Sequence, residues 1–525
     1  MAVLSAQNAY GELKKRYAQI IKMEYGANIL SKDAETAMAP GSAKDREEQI
    51  TAIKMAQHHL ISEPKVEEWL NIAEAGVSGL NPVDRRNLAL MRHHWTHENA
   101  LDPALAEAYA QLEPQGVGIH VAHYRSGDWS QVRDWYAHSF AVAREVGQAK
   151  KDKLGVASAY EALVDRFSPG IRVALIEREF AALSQALRVM IPEALERQAF
   201  ETPSLPLKGP FSEEKQMELN HRMAKAVGFD YNRGRFDAIK GHPSSNGSPD
   251  DNRISTRCKE EDFLPSLFGA VHETGHAMYE QGLPVQHRYQ PVGNNLGMAI
   301  HESQSMSIEY QACMTGEFFE LLAKHAQEVF GQVGDPSLSP ENLYKLVCRV
   351  QPSFIRVEAD ELTYSMHVIM RFELEKAIIE GRLDPKDLPE AWNDSIQSKL
   401  GIRPSNNAEG CMQDVHWPVG IQGYFPAYTL GAMTAAQFFA TATRQRPEIK
   451  PEIARGNFAP LTGWLNEHVH SRGSLVTAEQ LILDATGEPL NARHYLNHFS
   501  QPYLGRPYTA PQPVSVAPLP GNTLG

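Results

Sequence analysis

The 525-residue chain is poor in cysteine, with only Cys258, Cys313, Cys348 and Cys411. No two of them have CxxC spacing, and four scattered thiols exclude a disulfide framework, so they read as free thiols of a reducing compartment. No run approaches the 18 or more apolar residues of a membrane span. The N-terminus lacks the order of a signal peptide, because the basic run Lys14-Lys15-Arg16 follows its weakly apolar stretch. The expected location is therefore the cytoplasm. An excess of basic residues is also missing: 51 Lys and Arg stand against 64 Asp and Glu, a formal net charge of −13. The field of such a chain repels nucleic acids and anionic membranes, so neither is expected as a partner. Gly at 37 and Pro at 33 are ordinary shares, which excludes collagen-like and low-complexity character. There is no repeat of fixed period and no long polar linker in the interior.

What is present is mostly helical pattern. Leu13, Tyr17, Ile20 and Ile21 recur at helical spacing, and similar patterns cover roughly 84–112, 130–150, 171–199, 211–228, 263–281, 296–330, 341–351, 356–380 and 427–442. Strand signals are few. The best is Arg253–Arg257, after the turn-rich stretch His242–Asp251. Pro507, Pro511, Pro513, Pro518 and Pro520 mark a tail, residues 506–525, that is expected not to pack.

Residues 272–276 read His-Glu-Thr-Gly-His, the HExxH spacing. On a helix, positions i and i+4 share a face, so His272 and His276 can hold one metal ion while Glu273 reaches a water beside it. A catalytic zinc site needs a third protein ligand. The metzincin continuation would put a glycine where the chain has Tyr279 and a histidine where it has Gly282, so that class is excluded. His287, His301, Glu302 and Glu309 are the downstream candidates, and chemistry alone does not choose between His301 and Glu302. His93 and His97, in Met-Arg-His-His-Trp-Thr-His-Glu, have the same i, i+4 spacing. With no cysteine or acidic ligand pattern beside them, they read as a solvated histidine-rich face, and His58-His59 carries still less.

Several further stretches occur in a recognisable order. Asp251–Thr256 fits DxRxT, His301–Gln304 fits HESQ, Ile355–Asp360 fits IRxxAD and Gly410–Trp417 fits GxxQDxHW. With HExxH they make five motifs in sequence, and roughly residues 5–505 resemble the thermostable (Taq-type) metallocarboxypeptidases of peptidase family M32. The resemblance implies a mainly α fold: one large helical domain (1–505) with two lobes around a deep groove, and a small β-sheet near the metal, as in the neurolysin-like gluzincins. Length alone allows about three domains. Motifs spread from 251 to 417 that meet at one metal do not permit such a division.

The resemblance further implies one Zn2+ per chain held by His272, His276 and Glu302, and Glu273 as general base; Co2+ or Mn2+ can occupy N/O sites of this kind as substitutes. It also implies a homodimer acting on peptides with a free C-terminus. His416, Tyr424 and Tyr428 are candidate donors to the oxyanion, with Tyr424 preferred and Tyr428 read as a packed aromatic. Arg suits a terminal carboxylate, so Arg356 and then Arg253 are the candidate anchors. Asp360, Gln413 and Asp414 are candidates for orienting the histidines. The family's His-Pro-Phe is here His242-Pro243-Ser244, which keeps His242 as a substrate contact but makes the subsite less apolar. The competing functions are an endo-acting zinc oligopeptidase on the same scaffold and an inactive peptide-binding protein.

Overall fold

A computed structural model describes residues 4–508. Its first four helices are α1 (Ala6–Thr36), α2 (Ala43–Ser62), α3 (Pro64–Ala75) and α4 (Pro82–Asn99). Leu13, Tyr17 and Ile20 on one stripe of α1 are buried with Val66, Leu70, Leu88 and Met91, in a core these helices do not share with the rest. The helix expected over 84–112 is two. α4 stops at Asn99, and α5 (Pro103–His123) restarts because the Asp102 carboxylate accepts from the N–H groups of Ala104 and Leu105 ahead of Pro103. Next come α6 (Arg133–Leu154), α7 (Ala159–Phe167), which the sequence expectations do not include, α8 (Val173–Ala199) and α9 (Glu213–Val227); α6, α8 and α9 are close to their expected spans.

The sheet has three strands, β1 (Gly234–Ala238), β2 (Ser244–Ser248) and β3 (Asp251–Thr256), in the order β1-β3-β2. The expected strand is the central one. β1 runs parallel to it and β2 antiparallel, with Ser244 opposite Ser255. β2 escapes sequence reading because Ser-Ser-Asn-Gly-Ser has turn composition, and only pairing with β3 makes it a strand. α1 packs against β2, and α10 (Leu264–Gly282) packs against β3. Between α1 and the sheet the fully buried Lys32 ammonium donates to the Ser244 carbonyl (2.9 Å), the Ser255 hydroxyl (2.6 Å) and Glu35 (3.0 Å).

The pattern over 296–330 is also broken, into α11 (Met298–Met306), a π-helical turn at Ser307–Ala312 and α12 (Gly316–Phe330). α13 (Pro340–Val347) follows. α14 (Glu361–Ile379) starts later than expected because Asp360 caps it, accepting from Thr363 N–H. After α15 (Leu388–Leu400) and α16 (Pro426–Gln445), four shorter helices between Ile449 and Phe499 lie outside the sequence expectations. The main apolar core runs from Leu112 to Leu504 and ties all of these together. Two glycines set how closely α11 is gripped. A Cβ on Gly275 of α10 would lie 2.5 Å from the Gln304 carbonyl oxygen, and one on Gly431 of α16 would lie 2.4 Å from Glu302 Cβ. Only hydrogen at these positions lets both neighbours press on the helix carrying Glu302.

At the C-terminal end Arg506 pairs with Glu193 (2.6 Å), and Tyr508 packs on the main core. The remaining part of the expected tail, 509–525, lies outside the described residues. Among the described residues, no helix is long and apolar enough to cross a membrane.

Candidate metal centre and active site

α10 places His272 and His276 one turn apart, with ring centroids 4.9 Å from each other and planes at 82°. α11 brings Glu302 beneath them, and each Nε2 lies 3.7 Å from Glu302 Oε2. The outer ring nitrogens are already held. His272 Nδ1 meets Glu309 Oε2 at 2.7 Å, and His276 Nδ1 meets His301 Nδ1 at 2.5 Å. His301 in turn contacts Glu280 (3.0 Å) through Nε2, and Ser305 donates to Glu302 (3.2 Å). Both inner nitrogens are therefore aimed at one point with an oxygen opposite, the two-histidine, one-carboxylate set that suits a divalent cation with a position left open.

Charge points the same way. Burial works against a proton on His272, but Glu309, Glu273 and Glu302 together hold its pKa up at about 10. Burial pushes Glu273 up to about 7, with the Glu302 carboxylate adding to the rise and His272 and Lys32 opposing it. Burial also raises Glu302. A site in which carboxylates are desolvated together accepts a cation readily, so the residues present fit a metal ion.

These groups open onto a cavity of about 400 Å³. Its lining includes His272, Glu273, His276 and Glu302, the segment from His242 to Gly247 that leads into β2, and Tyr424 just before α16 with Tyr428 in its first turn. α1 supplies Glu24, Tyr25 and Asn28 as the facing wall, which nothing in the sequence suggests. Four lining residues are glutamates, Glu24, Glu273, Glu280 and Glu302, and none is Arg or Lys.

Of the open third-ligand candidates, Glu302 shares the centre, His301 and Glu309 hold its histidines from outside, and His287 sits in a separate turn at Val285–His287. Glu309 lies seven residues after Glu302, two helical turns on. The π turn beginning at Ser307 carries it, a device common at functional sites.

The expected carboxylate anchors are placed differently. Arg356 is 6% exposed and spends Nε and Nη2 on Asp414 (3.1 and 2.8 Å) and Nη1 on the Tyr364 hydroxyl (3.0 Å). Its guanidinium lies 5.0 Å from the centre of the Tyr428 ring, behind the cavity wall. Arg253 makes a bidentate pair with Asp251 (3.0 and 2.8 Å) and is absent from the lining. His242 lines the cavity mouth.

His416 is 9% exposed and stands behind Tyr428, whose hydroxyl is 3.3 Å from its Nε2. Burial brings its pKa down to about 3, so it stays neutral. Tyr428 is more than the packed aromatic expected of it: it stands on the cavity wall beside Tyr424, ring centroids 5.2 Å apart. Asp360 is a helix cap, and Gln413 and Asp414 serve Arg356 and Arg371, so none of the three contacts His272 or His276.

The loop between His416 and Tyr424 is tied by a residue that sequence reading does not single out. Glu375 of α14, fully buried, accepts from Tyr160 O–H (2.8 Å), Trp417 Nε1–H (2.7 Å) and Gly423 N–H (2.6 Å). Burial pushes it up to about 7 against the pull of those three donors.

Comparison with known proteins identifies the family of the chain. A family model described as carboxypeptidase Taq (M32) metallopeptidase matches residues 12–503. Thermostable carboxypeptidase 1 of Thermus thermophilus is 34% identical over 480 residues, covering 90% of this chain and 93% of that protein. The structure of Trypanosoma cruzi metallocarboxypeptidase 1 superposes with a TM-score of 0.92 at 32% identity, over 95% of this chain and all of that one. The M32 carboxypeptidase of Deinococcus radiodurans R1 gives a TM-score of 0.88 at 28% identity, over 94% and 98% of the two chains. Since the match runs through both the N-terminal helices and the main core, the chain as a whole belongs to the carboxypeptidase Taq (M32) family of metallopeptidases.

Proposed function

We propose that the chain is a zinc-dependent carboxypeptidase that releases amino acids from peptide C-termini, with His272, His276 and Glu302 as metal ligands and Glu273 as general base. The observation that carries this reading is the pair of Nε2 atoms 3.7 Å from one Glu302 oxygen, with Glu273 in the same cavity wall. A divalent cation bound there lowers the pKa of water and polarises the scissile carbonyl, and Co2+ or Mn2+ suits the same donors. Glu273, next in sequence to His272 and in the same cavity wall, takes a proton from water and returns it to the leaving amine. Tyr424 and Tyr428 offer hydroxyls to the oxyanion. His416 and Arg356 act through Tyr428, one by a hydrogen bond and the other by lying against its ring. His242 meets the peptide at the cavity mouth.

One observation favours a second reading, an endo-acting oligopeptidase: no Arg or Lys lines the cavity to receive a terminal carboxylate. A set of peptides with free or amidated C-termini separates the two by mass spectrometry. The carboxypeptidase gives a ladder from the free acid only, loses it with chelator, and loses about 10²- to 10⁴-fold in rate in Glu273→Gln with metal retained. Internal cleavage of the amidated peptide at equal rate selects the second reading.

The chain works as a cytoplasmic homodimer in this proposal. Phe200, 87% exposed beside a groove of about 1250 Å³ lined by Phe319 and Tyr344, supports a face for a second copy. Light scattering is expected to give twice the chain mass and Phe200→Glu the single mass. A single mass for the parent removes the dimer.

A further inference from the structure

The histidine-rich face on α4 does not stay solvated. Asp165, from α7, reaches across to it, so that His93 Nε2 lies 2.6 Å and His97 Nε2 2.9 Å from the same oxygen, Asp165 Oδ2. The two imidazoles, one turn apart, have ring centroids 4.7 Å from each other and planes at 66°, close to the 4.9 Å and 82° of His272 and His276. In both places two histidine nitrogens and one carboxylate oxygen fall within 4.8 Å of one another. The other Asp165 oxygen is held by Gly170 N–H (2.8 Å), which fixes the carboxylate with Oδ2 facing the histidines. Asp165 and His97 are 7% and 9% exposed, whereas His93 is 31% exposed and leaves a path to solvent.

We infer that His93, His97 and Asp165 form a second binding site for a divalent transition-metal cation, separate from the catalytic centre, with water completing its coordination. Two nitrogens and one carboxylate oxygen suit Zn2+, Co2+ or Ni2+ rather than Ca2+ or Mg2+, which take oxygen ligands. Without metal, N–H···O bonds from the two Nε2 atoms occupy the directions of the metal bonds. On binding, each neutral ring carries its proton on Nδ1 instead, and Nε2 becomes the ligand. Lys150 Nζ, 3.4 Å from His97 Nδ1, opposes this, because an ammonium cannot accept from Nδ1–H. The ammonium therefore weakens the site without closing it. The cation would bind α4 to α7, whose Phe167 meets Tyr424 of the cavity wall at 5.1 Å between ring centroids.

The test counts metal on the full chain. After chelator treatment, the protein is dialysed against micromolar Zn2+ or Co2+ and the bound ion is measured by elemental analysis. Two ions per chain are expected in the parent. One is expected in His93→Ala, in Asp165→Asn, and in the His272→Ala/His276→Ala double variant, where catalysis plays no part in the reading. In that double variant the Co2+ ligand-field bands should persist, vanish when His93→Ala is added, and appear at lower Co2+ concentration with Lys150→Met. His93 is partly exposed, so its removal leaves the fold intact, and an unchanged melting curve checks this. One ion per parent chain, or two retained in both His93→Ala and Asp165→Asn, overturns the site. A double variant that folds and binds no ion overturns it equally.

Discussion

Asp414 answers two buried cations at once, with Arg356 on one oxygen (2.8 Å) and Arg371 on the other (2.6 Å). Burial alone would raise its pKa, but the two guanidiniums pull it far below the usual carboxylate range. A depressed pKa contributes stability that is present above the unfolded value, near 3.8, and is lost as pH falls toward the folded one. Asp414→Asn leaves two buried charges uncompensated, at about 3–5 kcal/mol near neutrality. In urea unfolding, that gap from the parent should narrow once pH drops below about 4, and a gap unchanged at about pH 2 contradicts the assignment. Residue identity makes His272 and His276 readable as a pair, since histidines at i, i+4 carry their geometry in the spacing, whereas Glu302 comes only from the family resemblance. Arg356 resists reading for the converse reason. A guanidinium suits a substrate carboxylate and an internal one equally, and only the fold reveals that Asp414, 58 residues away, has taken it.

α11 is where element packing becomes chemistry. It is nine residues long, has no side-chain cap, and sits between α10 and α16 with hydrogen-only contacts at Gly275 and Gly431. Gly431→Ala drives a methyl into Glu302 Cβ, and overpacking of this kind costs about 1–3 kcal/mol. The expected outcome is a metal affinity lower by about 10- to 100-fold with the helix content retained, as read by competition with a chelating dye. Unchanged affinity would mean that α11 yields without moving the carboxylate. Helix existence is legible from periodicity across most of the chain. The breaks are not, because Asp102, Thr315 and Asp360 interrupt apolar patterns that continue on both sides, and a cap is a hydrogen bond rather than a change of pattern. β1 and β2 are invisible for a related reason: their strand character comes from β3.

At the scale of the molecule, the first four helices own one apolar core and nearly everything from Leu112 onward owns another. Yet α1 of the smaller unit forms a wall of the cavity beside His272 and His276, moored to the sheet by Lys32. Hydrogen exchange should therefore be faster in α1–α4 than in α10 and α16. Lys32→Met should speed it further in α1 while leaving α10 unchanged. Equal protection across both units would show that the two cores open together. One helical body around a small sheet is legible from the family motifs. The contribution of α1 is not, because Glu24, Tyr25 and Asn28 lie on an amphipathic helix roughly 250 residues from His272 and His276 and resemble any solvated face.

The wall of glutamates without Arg or Lys imposes an order on events. Under the proposed function, the bound cation supplies the positive charge that no Arg or Lys brings to this lining, so the ion and a peptide ending in a carboxylate bind with positive cooperativity. Linkage makes the effect mutual: the factor by which the ion tightens the peptide is the factor by which the peptide tightens the ion. A scarce metal is thus retained best by the copies of this protein that have substrate to cut.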